Sequence, residues 1–249
     1  MTTILLSNDD GIFAPALRAL KAELAPIGRV IIVAPDRDQS ATSHSLTLHR
    51  PFRIHHHEDD VYSVDGTPTD CVVTAYHGLL EAPPDMVISG INHGPNMGED
   101  VFYSGTVAAA IEGTLQGAPS LAVSLVTREL ADFVEPARFT ARLVRRVMEH
   151  GLPPRQLLNV NLPHRPWDRI RGVAITRLGS RVYRDTLIRK VDPRGRNYYW
   201  IGGDEPIWEP REGTDFVAVE AGYVSVTPMR LDLTDELALQ QMQGWALEP

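Results

Sequence analysis

The first two-thirds of the chain alternates short apolar runs with stretches whose apolar residues recur every three or four positions. Ile4–Ser7 is a near-continuous apolar run, the pattern of a strand buried on both faces. Behind it Leu17, Leu20 and Leu24 fall at helical spacing after Pro15, a residue suited to a helix's first turn. Arg29–Ala34 is a second apolar run, ending at Pro35-Asp36. Strand, helix and strand in this order predict a parallel pair joined by a right-handed crossover. Short strands are expected around Phe52–His56 and Val61–Val64. Thr67-Pro68-Thr69-Asp70 has the form of a capping box and opens a helix to about Leu80. Asp85–Ser89 is another buried strand, running into the glycine-rich loop Gly90–Gly98, and a helix starts near Ser104-Gly105-Thr106. Leu121–Val126, Phe133–His150 and Leu157–Leu162 then read as strand, helix and strand. This order indicates an α/β chain with a doubly wound, mostly parallel sheet in three layers, α/β/α.

From about Arg171 the pattern changes, so residues 1–170 are expected to form the core and 171–249 an extension. Val173–Leu178 is short and alternating. Ser180–Val191 and Tyr198–Gly202 flank the turn Asp192-Pro193-Arg194-Gly195-Arg196, as the arms of a β-hairpin would. A two-stranded ribbon is marginal alone, so this one is expected to lie on a partner surface as an oligomerisation arm. A returning strand (Ala221–Pro228) and a short helix (Asp235–Gln243) end the pattern.

Composition changes the picture in three ways. A net charge of −8 argues against a partner that is polymeric nucleic acid, because such binding rests on phosphate neutralisation by Lys and Arg. The one cysteine, Cys71, excludes an internal disulfide and suits a reducing compartment. No apolar run approaches the ~18–20 residues of a membrane span, and the first residues lack the layout of a secretory signal. A cytoplasmic location with no membrane partner is the expectation.

Candidate chemistry begins where the first strand stops, at two adjacent carboxylates, Asp9 and Asp10. In an open α/β sheet ligands bind beyond the carboxyl ends of the strands, and two acids there call for a cation between them. A helix cap and an Asp-Gly turn would also explain them. The polar loop Asp36–Ser45 and the loop Gly90–Gly98 end at the same predicted edge. Ser40 and Asn92 could therefore complete an all-oxygen shell, which suits Mg²⁺, Mn²⁺ or Ca²⁺ and not zinc. Asn96 with Ser104, Gly105 and Thr106 reads as a phosphate cradle at a helix N-terminus, although Ser104 or Thr106 could simply cap the helix. His44 could reach a leaving oxygen but reads rather as a solvated loop histidine, and His93 carries no assigned role. His55-His56-His57 is expected to be exposed, and Arg142, Arg145 and Arg146 read as a solvated helix face.

SNDDG at 7–11, APDRDQSATSHSLT at 34–47, GTPTDC at 66–71, SGINHGPNMGEDVFYSGTVAAAIEG at 89–113 and AGYVSVTP at 221–228 closely resemble the survival protein SurE family. The resemblance implies a Rossmann-like core with a C-terminal arm exchanged between subunits, giving a homodimer or homotetramer. It implies a phosphomonoesterase of the 5′-nucleotidase type that hydrolyses nucleoside monophosphates with one divalent ion, Mg²⁺ or Mn²⁺, per subunit. Carried onto matching positions, the metal ligands are Asp9, Asp10, Ser40 and Asn92. The phosphate neighbours are Asn96, Ser104, Gly105 and Thr106, and Asp9, Asp10 and Asn96 are the catalytic candidates. Activity on short polyphosphate is a further implication. A metal-held water or an attacking aspartate would both satisfy this pattern. A non-catalytic nucleotide-binding module and an assembly protein built on the arm are the alternatives.

Overall fold

The computed structural model describes residues 2–182, 186–202 and 207–245. Its strands are β1 (Thr3–Ser7), β2 (Arg29–Pro35), β3 (Ile54–Glu58), β4 (Val61–Val64), β5 (Met86–His93), β6 (Ser120–Val126) and β7 (Gln156–Pro163). They continue with β8 (Val173–Ile175), β9 (Arg181–Val182), β10 (Thr186–Val191), β11 (Asn197–Gly202), β12 (Ile207–Trp208) and β13 (Val224–Arg230). The α-helices are α1 (Pro15–Leu24), α2 (Pro68–Thr74), α3 (Gly105–Leu115), α4 (Val134–His150), α5 (Asp215–Glu220) and α6 (Glu236–Met242). A nine-stranded sheet runs β3-β4-β2-β1-β5-β6-β7-β13-β8. It is parallel from β4 to β7; β3 is antiparallel to β4, and β13 runs antiparallel to β7 and parallel to β8.

The apolar pattern explains the layers. Ile4 and Leu6 of β1 pack with Leu17, Leu20 and Leu24 of α1 and Val144 and Val147 of α4 on one face. Leu5, between them, packs on the other face with Cys71 and Val72 of α2 and Ala109 of α3. A strand covered on both sides has no polar face to present, which is why its sequence does not alternate. Among the described residues no helix is long and apolar enough to cross a membrane.

Locally encoded elements follow expectation. The Thr67 capping box is present, with Asp70 N–H donating to the Thr67 hydroxyl and Thr67 N–H to the Asp70 carboxylate. The helix it opens passes into a π-helical turn, Ala75–Leu79, before ending. Three differences stand out. β5 does not stop at Ser89 but continues to His93 through a register shift against β6 between Ser89 and Asn92. Gly90 makes this shift possible: its φ is +130°, and a Cβ there would lie 2.2 Å from the Val123 carbonyl oxygen. The six residues of α5 are too few for periodicity to show. The hairpin is β10 with β11 around the expected turn, whereas the Arg181–Val182 end of the expected first arm pairs with β12. Residues 183–185 of that arm lie outside the described residues.

Candidate active site

The connections from β1 run to β2 and β4 on one side and, through β5, to β6 and β7 on the other. The carboxyl ends of β1 and β5 are thus the topological switch point, where an open α/β sheet has its natural crevice. Asn8, Asp9 and Asp10 follow β1 there. Asn8 fixes the turn by bonding Gly11 in both directions, Nδ2 to its carbonyl and its amide to Oδ1, each at 3.1 Å.

Hydrogen bonds gather the neighbouring loops onto these acids. Gln39 N–H donates to the Asp9 carbonyl at 2.8 Å, bringing in the loop after β2. Ser40, on that loop, is exposed, and its N–H donates to Asp38 Oδ1 at 2.7 Å. His93 N–H, at the end of β5, donates to Asp10 Oδ2 at 3.3 Å. Asn92 beside it is half-buried, and its Nδ2 donates to the Gly94 carbonyl at 2.9 Å, which leaves the amide oxygen as the end that could meet a cation.

Asp9 is 5% exposed and faces the N-terminus of α3, where the Thr106 hydroxyl donates to Asp9 Oδ1. Only glycine fits between them, because a Cβ on Gly105 would lie 2.8 Å from the Asp9 Cβ. Burial pushes the Asp9 carboxyl up to about 6; the Thr106 hydrogen bond opposes the rise and the Asp10 charge adds to it. Asp10 is also raised, first by burial and then by the Asp38 charge, against the pull of the His93 amide. No Lys or Arg among the described residues pairs with either acid. Two carboxylates packed together with no Lys or Arg paired to them among the described residues, and with hydroxyl and amide oxygens on the neighbouring loops, fit a hard divalent ion. No cluster of three or more His, Cys, Asp or Glu able to hold a metal exists among the described residues. A shell here therefore depends on Ser and Asn oxygens and water.

Asn96, expected from the sequence to face a phosphate, is buried and locked by the next strands. Its N–H donates to Asn161 Oδ1 at 2.9 Å, and its carbonyl accepts from Asn159 Nδ2 at 2.8 Å and Asn161 Nδ2 at 2.9 Å. Its own Nδ2 donates to Ser124 Oγ at 2.8 Å, leaving one amide hydrogen uncommitted. The Ser104 hydroxyl caps α3 by accepting from Val107 N–H at 3.0 Å, which leaves its own proton to donate, whereas the Thr106 hydroxyl donates to Asp9. A phosphate at this turn would therefore meet backbone N–H groups and the Ser104 hydroxyl, and not that of Thr106.

The residues that sequence reasoning missed are Thr106 as the support of Asp9, Asp38 beside Asp10, and the Ser124, Asn159 and Asn161 frame around Asn96. Asn-Val-Asn inside an apolar strand was the available signal, since buried amides on one strand face need partners. Elsewhere, His44 Nε2 lies 2.9 Å from the buried Glu112 carboxylate, and the strand carrying His55–His57 is exposed. Cys71 is fully buried, and burial pushes its thiol well up, which makes it inert.

The family model for survival protein SurE matches residues 4–185. The chain belongs to the SurE family. Relatives described as 5′-nucleotidase SurE extend over nearly the full length. That from Geobacter sulfurreducens is 50% identical over 245 residues, covering 98% of this chain and 94% of the relative. That from Laribacter hongkongensis is 50% identical over 241 residues, covering 97% and 98%. A crystal structure of the SurE protein from Aquifex aeolicus superposes with a TM-score of 0.88 at 46% identity, covering 97% of this chain and 98% of that one.

Proposed function

We propose that this SurE-family chain is a 5′-nucleotidase that hydrolyses nucleoside monophosphates to nucleoside and phosphate with one divalent ion, Mg²⁺ or Mn²⁺, held by Asp9, Asp10, Ser40 and Asn92. The observation that carries the reading is the acid pair at the switch point, with Asp9 buried against α3 and neither acid paired with a Lys or Arg among the described residues. A bound divalent ion supplies charge neutralisation at the phosphoryl oxygens and an acidified water. The chain's own part is orientation. Thr106 fixes one Asp9 oxygen, and the His93 amide fixes one Asp10 oxygen. The free Asn96 amide hydrogen and the first-turn amides of α3 supply donors to the equatorial oxygens, each worth ~2.7–4 kcal/mol when aimed at developing charge.

The extension 171–249 is proposed to carry the subunit contact, because Leu187, Val191, Tyr199 and Ile201 share one exposed face of the β10–β11 hairpin. Its expected product is a homodimer or homotetramer in the cytoplasm. Phosphate release from nucleoside monophosphates, with Mn²⁺ and with EDTA, tests the activity. Release that EDTA stops, and that Asp9→Asn lacks at saturating Mn²⁺, supports the assignment. Near-normal turnover by Asp9→Asn refutes it, and tight nucleotide binding without release identifies a binding module.

A further inference from the structure

The segment that joins Asn96 to the start of α3 is gripped from the far end of the chain. Asp215, fully buried at the start of α5, accepts from Gly98 N–H at 2.8 Å through one carboxylate oxygen. Its other oxygen accepts from Gly179 N–H at 3.0 Å and Phe216 N–H at 2.9 Å. Gly98 sits at φ +54°, and a Cβ there would lie 2.6 Å from the Gly179 carbonyl oxygen and 2.9 Å from the Trp208 ring. Trp208 in turn stacks on Phe216, ring centroids 4.9 Å apart. Met97 packs with Phe216 and Val219. On the next two residues, Glu99 accepts from Arg181 N–H at 2.7 Å and Asp100 from the Arg181 guanidinium at 2.6 Å.

Asn96 is therefore held by β7 on one side, while the backbone two residues later is held by a carboxylate 117 positions away in sequence. A buried carboxylate is costly to keep, and a neutral side chain would pack more cheaply, so this acid needs a reason beyond filling space. We propose that Asp215 is a positioning residue: from the C-terminal extension it fixes the loop that aims Asn96 at the phosphoryl site. The proposal rests on the phosphomonoesterase reading above.

Asp215→Asn tests it selectively. An amide has one accepting oxygen and one nitrogen that only donates, so it cannot serve Gly98 on one side and the Gly179–Phe216 pair on the other. The expected result is a kcat at least tenfold lower, with Mn²⁺ affinity within twofold of wild type, because the proposed ligands are anchored by other contacts. Amide hydrogen exchange at Gly98–Asp100 should quicken. In an Asn96→Ala background the same change should lower kcat less than twofold further, since both substitutions act through one side chain. A kcat within twofold of wild type, losses that multiply with Asn96→Ala, or Mn²⁺ affinity falling in step with kcat each overturn the proposal.

Should Asp215→Asn not fold, Asp100→Ala, which removes an acceptor of the Arg181 guanidinium, loosens the same loop from its more exposed side. It is expected to lower kcat at least threefold with Mn²⁺ affinity retained, and an unchanged kcat overturns the proposal. If the wild-type protein releases no phosphate, the functional reading fails by itself. Exchange at Gly98 then decides the clamp alone, and unaltered protection overturns it.

Discussion

Asp9 is a carboxylate that the fold keeps at a loss. Burial raises its pKa from 3.8 to about 6. The folded state therefore binds this proton more tightly than the unfolded state. The resulting destabilisation is absent below the unfolded value, grows as pH rises from about 4 to 6, and is complete above. A rise of that size corresponds to about 3 kcal/mol at neutral pH. Asp9→Asn removes the charge and leaves an amide oxygen for the Thr106 hydroxyl. In EDTA at pH 7.5 the variant should be more stable than wild type by about 3 kcal/mol. For a chain of this size that is roughly 6–12 °C in melting temperature. The gap should close as pH falls toward 4. Adding Mn²⁺ should reverse the order, because an ion that binds only the folded wild type stabilises it by mass action. Thermal melts at pH 4.5, 6 and 7.5, each with EDTA and with Mn²⁺, measure all of this. A variant less stable than wild type in EDTA at pH 7.5 refutes the reasoning, since Asp9 would then be a structural cap and not a charge awaiting a cation.

Three further outcomes follow from the same contacts. Thr106→Val keeps the volume but removes the donor that lowers the Asp9 pKa; a hydrogen bond to a charged group is worth about 1.5–3 kcal/mol, roughly 12- to 160-fold in proton affinity. Mn²⁺ affinity at pH 7 should therefore drop through competition with the proton and recover as pH rises in calorimetric titrations. Asn161→Leu leaves the buried Asn96 N–H without its acceptor and should cost about 1–3 kcal/mol in urea unfolding, with a lower kcat and unchanged Mn²⁺ affinity. Lysine at both Leu187 and Ile201, cross-strand partners on the exposed hairpin face, should reduce the sedimenting mass of the assembly; an unaltered mass rules out the hairpin as the subunit contact.

What was legible in the sequence depended on how far apart the interacting residues lie. The β1 run, the Thr67 box and the adjacent acids Asp9 and Asp10 declare themselves because each is complete within a few residues. The doubly wound, mostly parallel character of the sheet followed from repeated strand–helix–strand units, which leave few ways to wind a sheet. The supports of the site were hidden for the opposite reason. Asn161 meets Asn96 65 positions away and Asp215 meets Gly98 117 positions away, and only the placement of β7, β13 and α5 makes them neighbours. Thr106 shows the same limit at closer range. As a residue of a glycine-flanked helix start it resembles a phosphate ligand. Whether its hydroxyl turns to an anion or to Asp9 depends on how near α3 lands to the end of β1. Gly105 settles that distance, because its missing side chain lets the helix reach the acid. A glycine between a capping serine and a buried threonine can thus mark the approach of a helix to a charged strand end as readily as its approach to a ligand. In this chain both uses meet at one turn: the carboxylate that α3 steadies is the one proposed to hold the ion.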